Sequence, residues 1–443
     1  MAKLTTSNIT SVKLPFPRIL HVHKADRLMG SVDAPSSKSY THRAIIIGSM
    51  NGKSTIINPL ISEDTRATLK VWGKLGVSYS LTHDGQLTLK GFKGRPKMPS
   101  EIDVHESGTL LRFLTCVSVL GKSKTTIKGT GTLLKRSNKM IADPLTQLGV
   151  IITSSNDDYS LPITIDTRGE IKSSTINVSG NMSSQIISAL LIISGSLPNG
   201  LRINVTGKMV SRPYIRITLD VLKRAGIVVD YDENFNWFET KGGQSFRSLG
   251  EFVVPGDYSN AAFLLVAASL IDSDVRVNNL IKDEQGDRQI IEILKKMGAS
   301  VEADEGSVLV KGPSKLHGID IDCGDIPDLV PAIAPLAVYA EGKTRLFNIG
   351  HLKIKESNRI KSITEELTKL GVRVESGNDQ ITIWKSQPRG TEVWSHNDHR
   401  IAMAMTVIGL KEGNMTIQDS DCISKSYVDF LQDMRSLKAP IYT

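Results

Sequence analysis

Two apolar patterns alternate along this chain of 443 residues. In the first, apolar residues recur at i, i+3 and i+4, and the run closes on Leu-Gly or a near variant ahead of a short strand-like stretch. That spacing predicts a helix with one buried face, then a turn and a strand. It reads "TRATLKVWGKLGVSYS", "NKMIADPLTQLGVIIT", "IRITLDVLKRAGIVVD", "RQIIEILKKMGASVEA" and "IKSITEELTKLGVRVE". The closing glycines, Gly76, Gly149, Gly226, Gly298 and Gly371, are 73, 77, 72 and 73 residues apart. Each is expected just past a helix end at positive φ, and the constant spacing marks an internal repeat.

The second pattern lies out of phase with the first. It is a run apolar on every side, opened by polar residues and closed by a turn and a strand. The copies are "SKSYTHRAIIIGSMNGKSTIIN", "SGTLLRFLTCVSVLGKSKTTIKG", "SSQIISALLIISGSLPNGLRINV", "SNAAFLLVAASLIDSDVRVNN", "DLVPAIAPLAVYAEGKTRLFN" and "NDHRIAMAMTVIGLKEGNMTIQD". A helix apolar all round is buried inside a domain. The two patterns predict an α/β protein of two similar lobes, each of three repeated units, with buried helices inside and sheets outside. The repeat also disposes of a phosphate-loop reading of "GKST" at Gly52–Thr55. Such a loop needs a glycine where the chain has Ile47, and Gly-Lys-Ser at Gly121 and Gly-Lys-Thr at Gly342 follow buried helices at equivalent places. These are helix-ending turns. "GTGT" at Gly129–Thr132 lacks the third glycine of a dinucleotide fingerprint.

The polar openings of the buried helices carry the chemistry. A buried helix leaves its first N–H groups unpaired, and one Ser, Thr, Asp or Asn can cap them. Capping explains one polar residue per helix. It does not explain Lys38, Ser39 and Arg43 together, Thr109 with Arg112, Ser183-Ser184-Gln185, or Asn397-Asp398-His399-Arg400. Cations at a helix N-terminus oppose its dipole. Combined with hydroxyls and N–H groups, they suit an anion lying between them. Caps suffice for "SNAAFLL" and, Asp328 apart, for "DLVPAIA". Two charged clusters, Lys353, Lys355, Glu356 and Arg359 in "HLKIKESNRI" and Lys135, Arg136 and Lys139 in "LLKRSNKM", taken singly read as solvated helix starts.

Composition narrows the classes. The net charge of +8 suits acidic partners without choosing among them, and aromatics at 5% do not favour stacking on bases. A nucleic-acid-binding repeat protein would carry stripes of cations interleaved with aromatics, whereas here the cations fall at helix starts among Ser, Thr and Asp. Cys116, Cys323 and Cys422 are scattered and odd in number, with no CxxC pair, so neither a zinc site nor a disulfide framework is indicated. No apolar run reaches about 18 residues, the length of a membrane span, and "MAKLTTSNITSVKLPFPRIL" has no signal-peptide core. A soluble protein of a reduced compartment, the cytoplasm, is expected.

In order along the chain, "SSKSYTHRA", "SGTLLRF", "LLKRSNKMIADPLTQLG", "SSQIISALL", "SRPYI", "IPDLVP", "KIKESNRI", "NDHRIAM" and "DCISKSYVDF" resemble the successive motifs of the 5-enolpyruvylshikimate-3-phosphate synthase family. The resemblance runs from near residue 30 to near residue 432. It implies the inside-out α/β barrel of the enolpyruvyl transferases, with βαβαββ units. It also implies transfer of the enolpyruvyl group of phosphoenolpyruvate to the 5-hydroxyl of shikimate 3-phosphate, with release of phosphate, in the shikimate pathway of aromatic amino acid biosynthesis. No metal or organic cofactor is implied, no nucleic-acid or membrane partner, and a monomer is expected. By position Lys38, Gly108, Arg136, Arg359, Arg400 and Lys425 resemble the phosphoenolpyruvate set. Ser39, Arg43, Ser183, Ser184, Ser211 and Lys355 resemble the shikimate-phosphate set, with Gln185 and Tyr214 lining the space between. Asp328 matches the base that meets the 5-hydroxyl, Glu356 the group that exchanges a proton with C3, and Lys38 shares the acid–base work. Two carboxylates in separate proton-transfer roles need surroundings that part their pKa values.

One residue departs from the family pattern: Glu106 stands where the family usually has Asn. An ionised Glu beside a phosphoenolpyruvate site would repel it unless it pairs with a nearby cation, points away or sits in an altered pocket; in the family the phosphonate herbicide glyphosate competes for that space, and the resemblance does not extend to how this chain responds to it. The sister transferase acting on a UDP-amino sugar normally carries a reactive Cys where this chain reads "GTLLKRSN", and the related RNA-phosphate cyclase architecture would need a nucleotide-binding motif that is not found. The repeat divides the chain into one lobe of residues 36–255 and a discontinuous lobe of 1–35 and 256–443, with the site expected in the cleft between them and hinges at the two crossings.

Overall fold

The computed structural model describes residues 16–443. The first fifteen residues, part of the stretch read for a leader and of the segment 1–35, lie outside the described residues. The chain forms two compact units: Lys38–Val254, and Pro255–Thr443 with the segment ending at Ser37.

Buried and amphipathic helices alternate through both. In the first unit they are α1 (Lys38–Gly48), α2 (Glu63–Lys74), α3 (Gly108–Val117), α4 (Lys139–Gln147), α5 (Ser184–Ser194) and α6 (Arg212–Arg224). In the second they are α7 (Tyr258–Leu270), α8 (Ile290–Met297), α9 (Val330–Tyr339), α10 (Arg359–Lys369), α11 (His399–Glu412) and α12 (Phe430–Ser436). The odd-numbered helices are buried nearly throughout; in α7 every residue is. The even-numbered ones bury one stripe, as Ile215, Ile217, Thr218, Val221 and Leu222 do in α6. The five repeat glycines all have φ between +77° and +103°, a region open to glycine at little steric cost.

Among the described residues six sheets of four strands accompany the helices. In one, Glu101–Asp103 and Lys124–Lys128 pair in parallel across α3, and Ile163–Asp166 and Ile151–Ser154 complete the sheet antiparallel. A parallel pair needs such a helical crossover, whereas the antiparallel strands close as a hairpin. The strands alternate buried and exposed residues, so one face of each sheet packs on the core and the other faces solvent. At the crossings the first strand is exchanged. Arg27–Asp33 precedes α1 in the chain yet pairs with Asp272–Asn278 of the second unit, and Glu251–Val253 precedes α7 yet pairs with Lys53–Ile57 of the first. The two connections leave the second unit side by side: Ser36 bridges Gly256, and the Ser37 N–H donates to the Pro255 carbonyl at 2.8 Å.

"GKST" opens the strand Lys53–Ile57, so no helix N-terminus follows it. Cys116, Cys323 and Cys422 are buried and unbridged, and burial pushes the Cys422 thiol up to about 12. Such thiols are packing groups rather than nucleophiles. No described helix is long and apolar enough to cross a membrane.

The core of the first unit encloses an ionisable group. His42 on α1 is 1% exposed and its Nδ1 lies 3.0 Å from Thr68 Oγ1. Burial, then the charges of Lys38 and Arg43, lower its pKa to about 3. Since an unfolded histidine titrates near 6.5, the unfolded chain takes up the proton first. His42 therefore supports the fold above about pH 6.5 and loses that contribution as pH falls towards 3. In urea unfolding, the stability gap between the parent and His42→Gln is expected to narrow from pH 7 to pH 4.5; a constant gap contradicts the burial of a neutral imidazole.

Candidate functional site

In the second unit three helix starts meet on one guanidinium. Arg359, the first residue of α10, is 1% exposed. Its Nε donates to Asp398 Oδ2 at 2.8 Å, its Nη1 to Asp328 Oδ1 at 2.8 Å and its Nη2 to Glu356 Oε2 at 2.7 Å. Asp328 lies in the 3-10 turn Pro327–Leu329 ahead of α9, Glu356 just before α10, and Asp398 caps α11 by accepting the Arg400 N–H at 3.0 Å. Burial alone would lower the Arg359 pKa, but the charges of Asp398, Glu356 and Asp328 outweigh it and hold the group charged. Asp328 also receives Arg400 Nη2 at 3.3 Å and Lys355 Nζ at 3.5 Å. Lys425 Nζ reaches the carbonyl and side-chain oxygen of Asn397 at 3.3 and 3.1 Å. Asp328, Lys355, Glu356, Arg359, Arg400 and Lys425, six residues expected from the sequence, thus belong to one linked constellation with four cations to three carboxylates.

In the first unit the expected residues sit at the starts of α1, α3, α5 and α6, with Arg136 between the 3-10 turn Gly131–Lys135 and α4. Lys38 Nζ donates to Asp64 Oδ2 at 3.2 Å. Gly108 opens α3, capped by Ser107, and a Cβ there would lie 2.6 Å from Arg112 Nη1 and 3.1 Å from Arg136 Nη1. Two guanidinium groups therefore use the space that glycine leaves. Gln185 Nε2 donates to Thr109 Oγ1 at 3.0 Å, tying the start of α5 to that of α3, while Ser183 caps α5. Ser184 and Ser211 are buried, Ser211 at φ +56° as it leads into α6. Arg43 is 2% exposed and hydrogen-bonded to neutral groups of the fold. It donates to Thr218 Oγ1 at 2.6 Å, the Ser39 carbonyl at 2.9 Å, the Tyr214 carbonyl at 3.0 Å and Ser188 Oγ at 3.3 Å. Burial lowers its pKa to about 10, which leaves it charged at neutral pH.

Glu106 has a specific task. Its Oε1 accepts the Thr132 N–H at 2.9 Å, at the opening of the 3-10 turn Gly131–Lys135 that leads into Arg136. The carboxylate is thus engaged with the backbone of the turn that delivers Arg136.

Sequence reasoning passed over Asp398 as a partner of Arg359, although its helix-cap position marked it. It also missed Asp64, Ser188 and Thr218, the partners of Lys38 and Arg43. Asp287 had no signal at all. It is 3% exposed and accepts the Ser259 hydroxyl, and burial, followed by the nearby Asp328 charge, raises its carboxyl well above the usual range. Among the described residues no group of His, Cys, Asp and Glu is arranged to hold a metal ion.

The fold and these helix starts define a mixed α/β protein with cations gathered at buried helix openings, a chemistry suited to anions. The family model described as EPSP synthase (3-phosphoshikimate 1-carboxyvinyltransferase) matches residues 22–434, and the chain belongs to that family. The 3-phosphoshikimate 1-carboxyvinyltransferase of Methanococcoides burtonii is 40% identical over 416 residues, spanning 93% of this chain and 96% of that protein. That of Methanocella arvoryzae is 40% identical over 427 residues, spanning 96% and 99%. The structure of EPSP synthase from Acinetobacter baumannii superposes with a TM-score of 0.79 at 26% identity, covering 96% of this chain and 99% of that one.

The Glu106 turn yields a test. A Cβ on Gly131 would fall 1.5 Å from Glu106 Oε1, and the glycine sits at φ +58°. Gly131→Ala is expected to lower the thermal midpoint, and to lower it less in a Glu106→Ala background, where the clash is gone and only the backbone strain remains. Equal penalties in both backgrounds would show that Glu106 does not hold the turn.

Proposed function

We propose that this enzyme transfers the enolpyruvyl group of phosphoenolpyruvate to the 5-hydroxyl of shikimate 3-phosphate and releases inorganic phosphate. This is the carboxyvinyl-transfer step of the shikimate pathway, leading to aromatic amino acids. Membership of the EPSP synthase family supports the reaction. The observation that carries the assignment of roles is the fork of Arg359 between Asp328 and Glu356, which holds two carboxylates on one cation.

Asp328 takes the proton of the 5-hydroxyl as its oxygen bonds to C2 of phosphoenolpyruvate, and Glu356 delivers a proton to C3. The resulting tetrahedral adduct loses the C3 proton and the C2–O bond to phosphate, which leaves as the double bond re-forms. Lys38 shares the proton transfers. Arg359, Arg400, Lys425, Arg136, Lys38 and the N–H groups at Gly108 hold phosphoenolpyruvate. Arginine forks match both its phosphate and its carboxylate bidentately. Ser39, Arg43, Ser183, Ser184, Gln185, Ser211 and Lys355 hold shikimate 3-phosphate. The reading includes an inside-out α/β barrel in each lobe, a cleft that closes on the substrates and expels water, a monomer in the cytoplasm, and no cofactor.

Mixing the protein with phosphoenolpyruvate and shikimate 3-phosphate is expected to release phosphate stoichiometrically with enolpyruvyl product. Lys38→Met and Arg400→Ala are expected to lower kcat/KM by about 100-fold or more, the scale of a lost general acid–base or charge-stabilising group. No phosphate release defeats the function, and variants within a few-fold of the parent defeat the site.

A further inference from the structure

The constellation around Arg359 rests on a second anchor, two helical turns away. Glu366 follows Arg359 by seven residues on the same face of α10, and its side chain is wholly buried. Its oxygens lie 2.7 Å from His396 Nε2, 2.8 and 3.0 Å from Lys369 Nζ, and 3.1 Å from the donating Trp394 N–H. Burial raises its pKa, but the donors from His396, Lys369 and Trp394 outweigh it and keep the carboxyl below the usual glutamate range. A carboxylate only accepts, so His396 Nε2 carries the hydrogen.

The segment held in this way is strained. His396 and Asn397 are consecutive non-glycine residues in the left-handed region, at φ +54° and +55°, a conformation that persists only where surrounding contacts over-determine it. Glu366 grips one side through His396 and Trp394. On the other, Ser395 Oγ accepts the Asn397 N–H at 3.0 Å and donates to the Asp419 carbonyl at 2.9 Å. The Trp394 ring lies 4.3 Å from that of His396, and its indole N–H donates to Asp419 Oδ2 at 2.8 Å. The turn fixes what lies beyond it. Asn397 receives Lys425 through both its oxygens, and Asp398 takes Arg359 and starts the helix that bears Arg400.

We infer that Glu366 is a positioning residue for the donor substrate: through His396 and Trp394 it locks the left-handed turn that sets Lys425 beside Arg359 and Arg400. The inference rests on the proposed assignment of those three cations to phosphoenolpyruvate. Glu366 touches no substrate in this scheme.

Steady-state kinetics on the full chain separates this role from general support of the fold. Glu366→Gln keeps the volume and one acceptor but loses the charge. It is expected to raise KM for phosphoenolpyruvate about tenfold, a coupling of ordinary size between linked groups, while KM for shikimate 3-phosphate stays within about twofold. His396→Phe keeps a ring but loses the donor, and should reproduce the selective rise; it stands in for Glu366→Gln if that variant does not fold. His396→Gln, which restores a donor, should recover part of it. An unchanged KM for phosphoenolpyruvate, or KM values for both substrates rising together, overturns the inference while parent turnover leaves the functional reading intact. A parent that releases no phosphate overturns both.

Discussion

The second unit turns on one buried charge. Arg359 carries a full positive charge at 1% exposure and stands at a helix N-terminus, where the dipole opposes it. Removing such a group from water costs several kcal/mol, and only close, well-directed acceptors offset that. Asp398, Asp328 and Glu356 supply them within 2.8 Å. Because each comes from the opening of a different helix, satisfying the guanidinium also fixes the angles at which α9, α10 and α11 begin. Electrostatic necessity and the geometry of the site are here one constraint. The arrangement also explains how two carboxylates can share a small space. A common cation between Asp328 and Glu356 screens their mutual repulsion, and the unequal company of Lys355 and Arg400 on Asp328 gives the two acids different surroundings.

The first unit solves the same problem differently. Arg43 is equally buried, yet its acceptors are hydroxyls and carbonyls on α1, α5 and α6, and its pKa falls where that of Arg359 rises. A cation held by neutral dipoles keeps its field largely uncancelled, so it attracts an anion more strongly than one already neutralised by carboxylates. The pairing of Gly108 with Arg112 and Arg136 adds to that field. Arg43 is thus held by neutral dipoles in the first unit, whereas Arg359 is held by carboxylates in the second.

Much of this was legible in the sequence because the signals are local. The repeat glycines, the helices apolar all round and the polar openings each depend on spacing within one or two dozen residues, and the structure places helices and turns there. The pairing of charges was not legible. Arg43 finds partners 145 and 175 residues away, and Arg359 finds Asp398 39 residues on; no periodicity specifies such contacts. Glu366 stands between these cases. In "SITEELTKL" it reads as a solvated surface residue, yet Arg359, Ile363, Glu366 and Leu370 follow one another at helical spacing along one stripe, and Ile363 and Leu370 are buried. Its place on that stripe goes with burial, and its partners His396 and Trp394 lie 30 and 28 residues away. Asp287 carried no such mark, and only the packing of Ser259 against it reveals it.

Glu106 shows how a local departure can be absorbed without loss of the surrounding plan. Beside a site for phosphorylated anions, an uncommitted carboxylate would be repulsive. Here Oε1 accepts a backbone N–H at the opening of a 3-10 turn, where a negative group is favoured for the same reason that helix starts favour anions. The negative charge is drawn onto the backbone. Asparagine is one methylene shorter and uncharged, so it would not supply the same field. Gly131 gives the complementary half of the fit, since the volume its missing Cβ would occupy is filled by the Glu106 carboxylate. Residues 106 and 131 therefore form a matched pair that sets the turn leading into Arg136, and the acid is committed to the backbone of that turn.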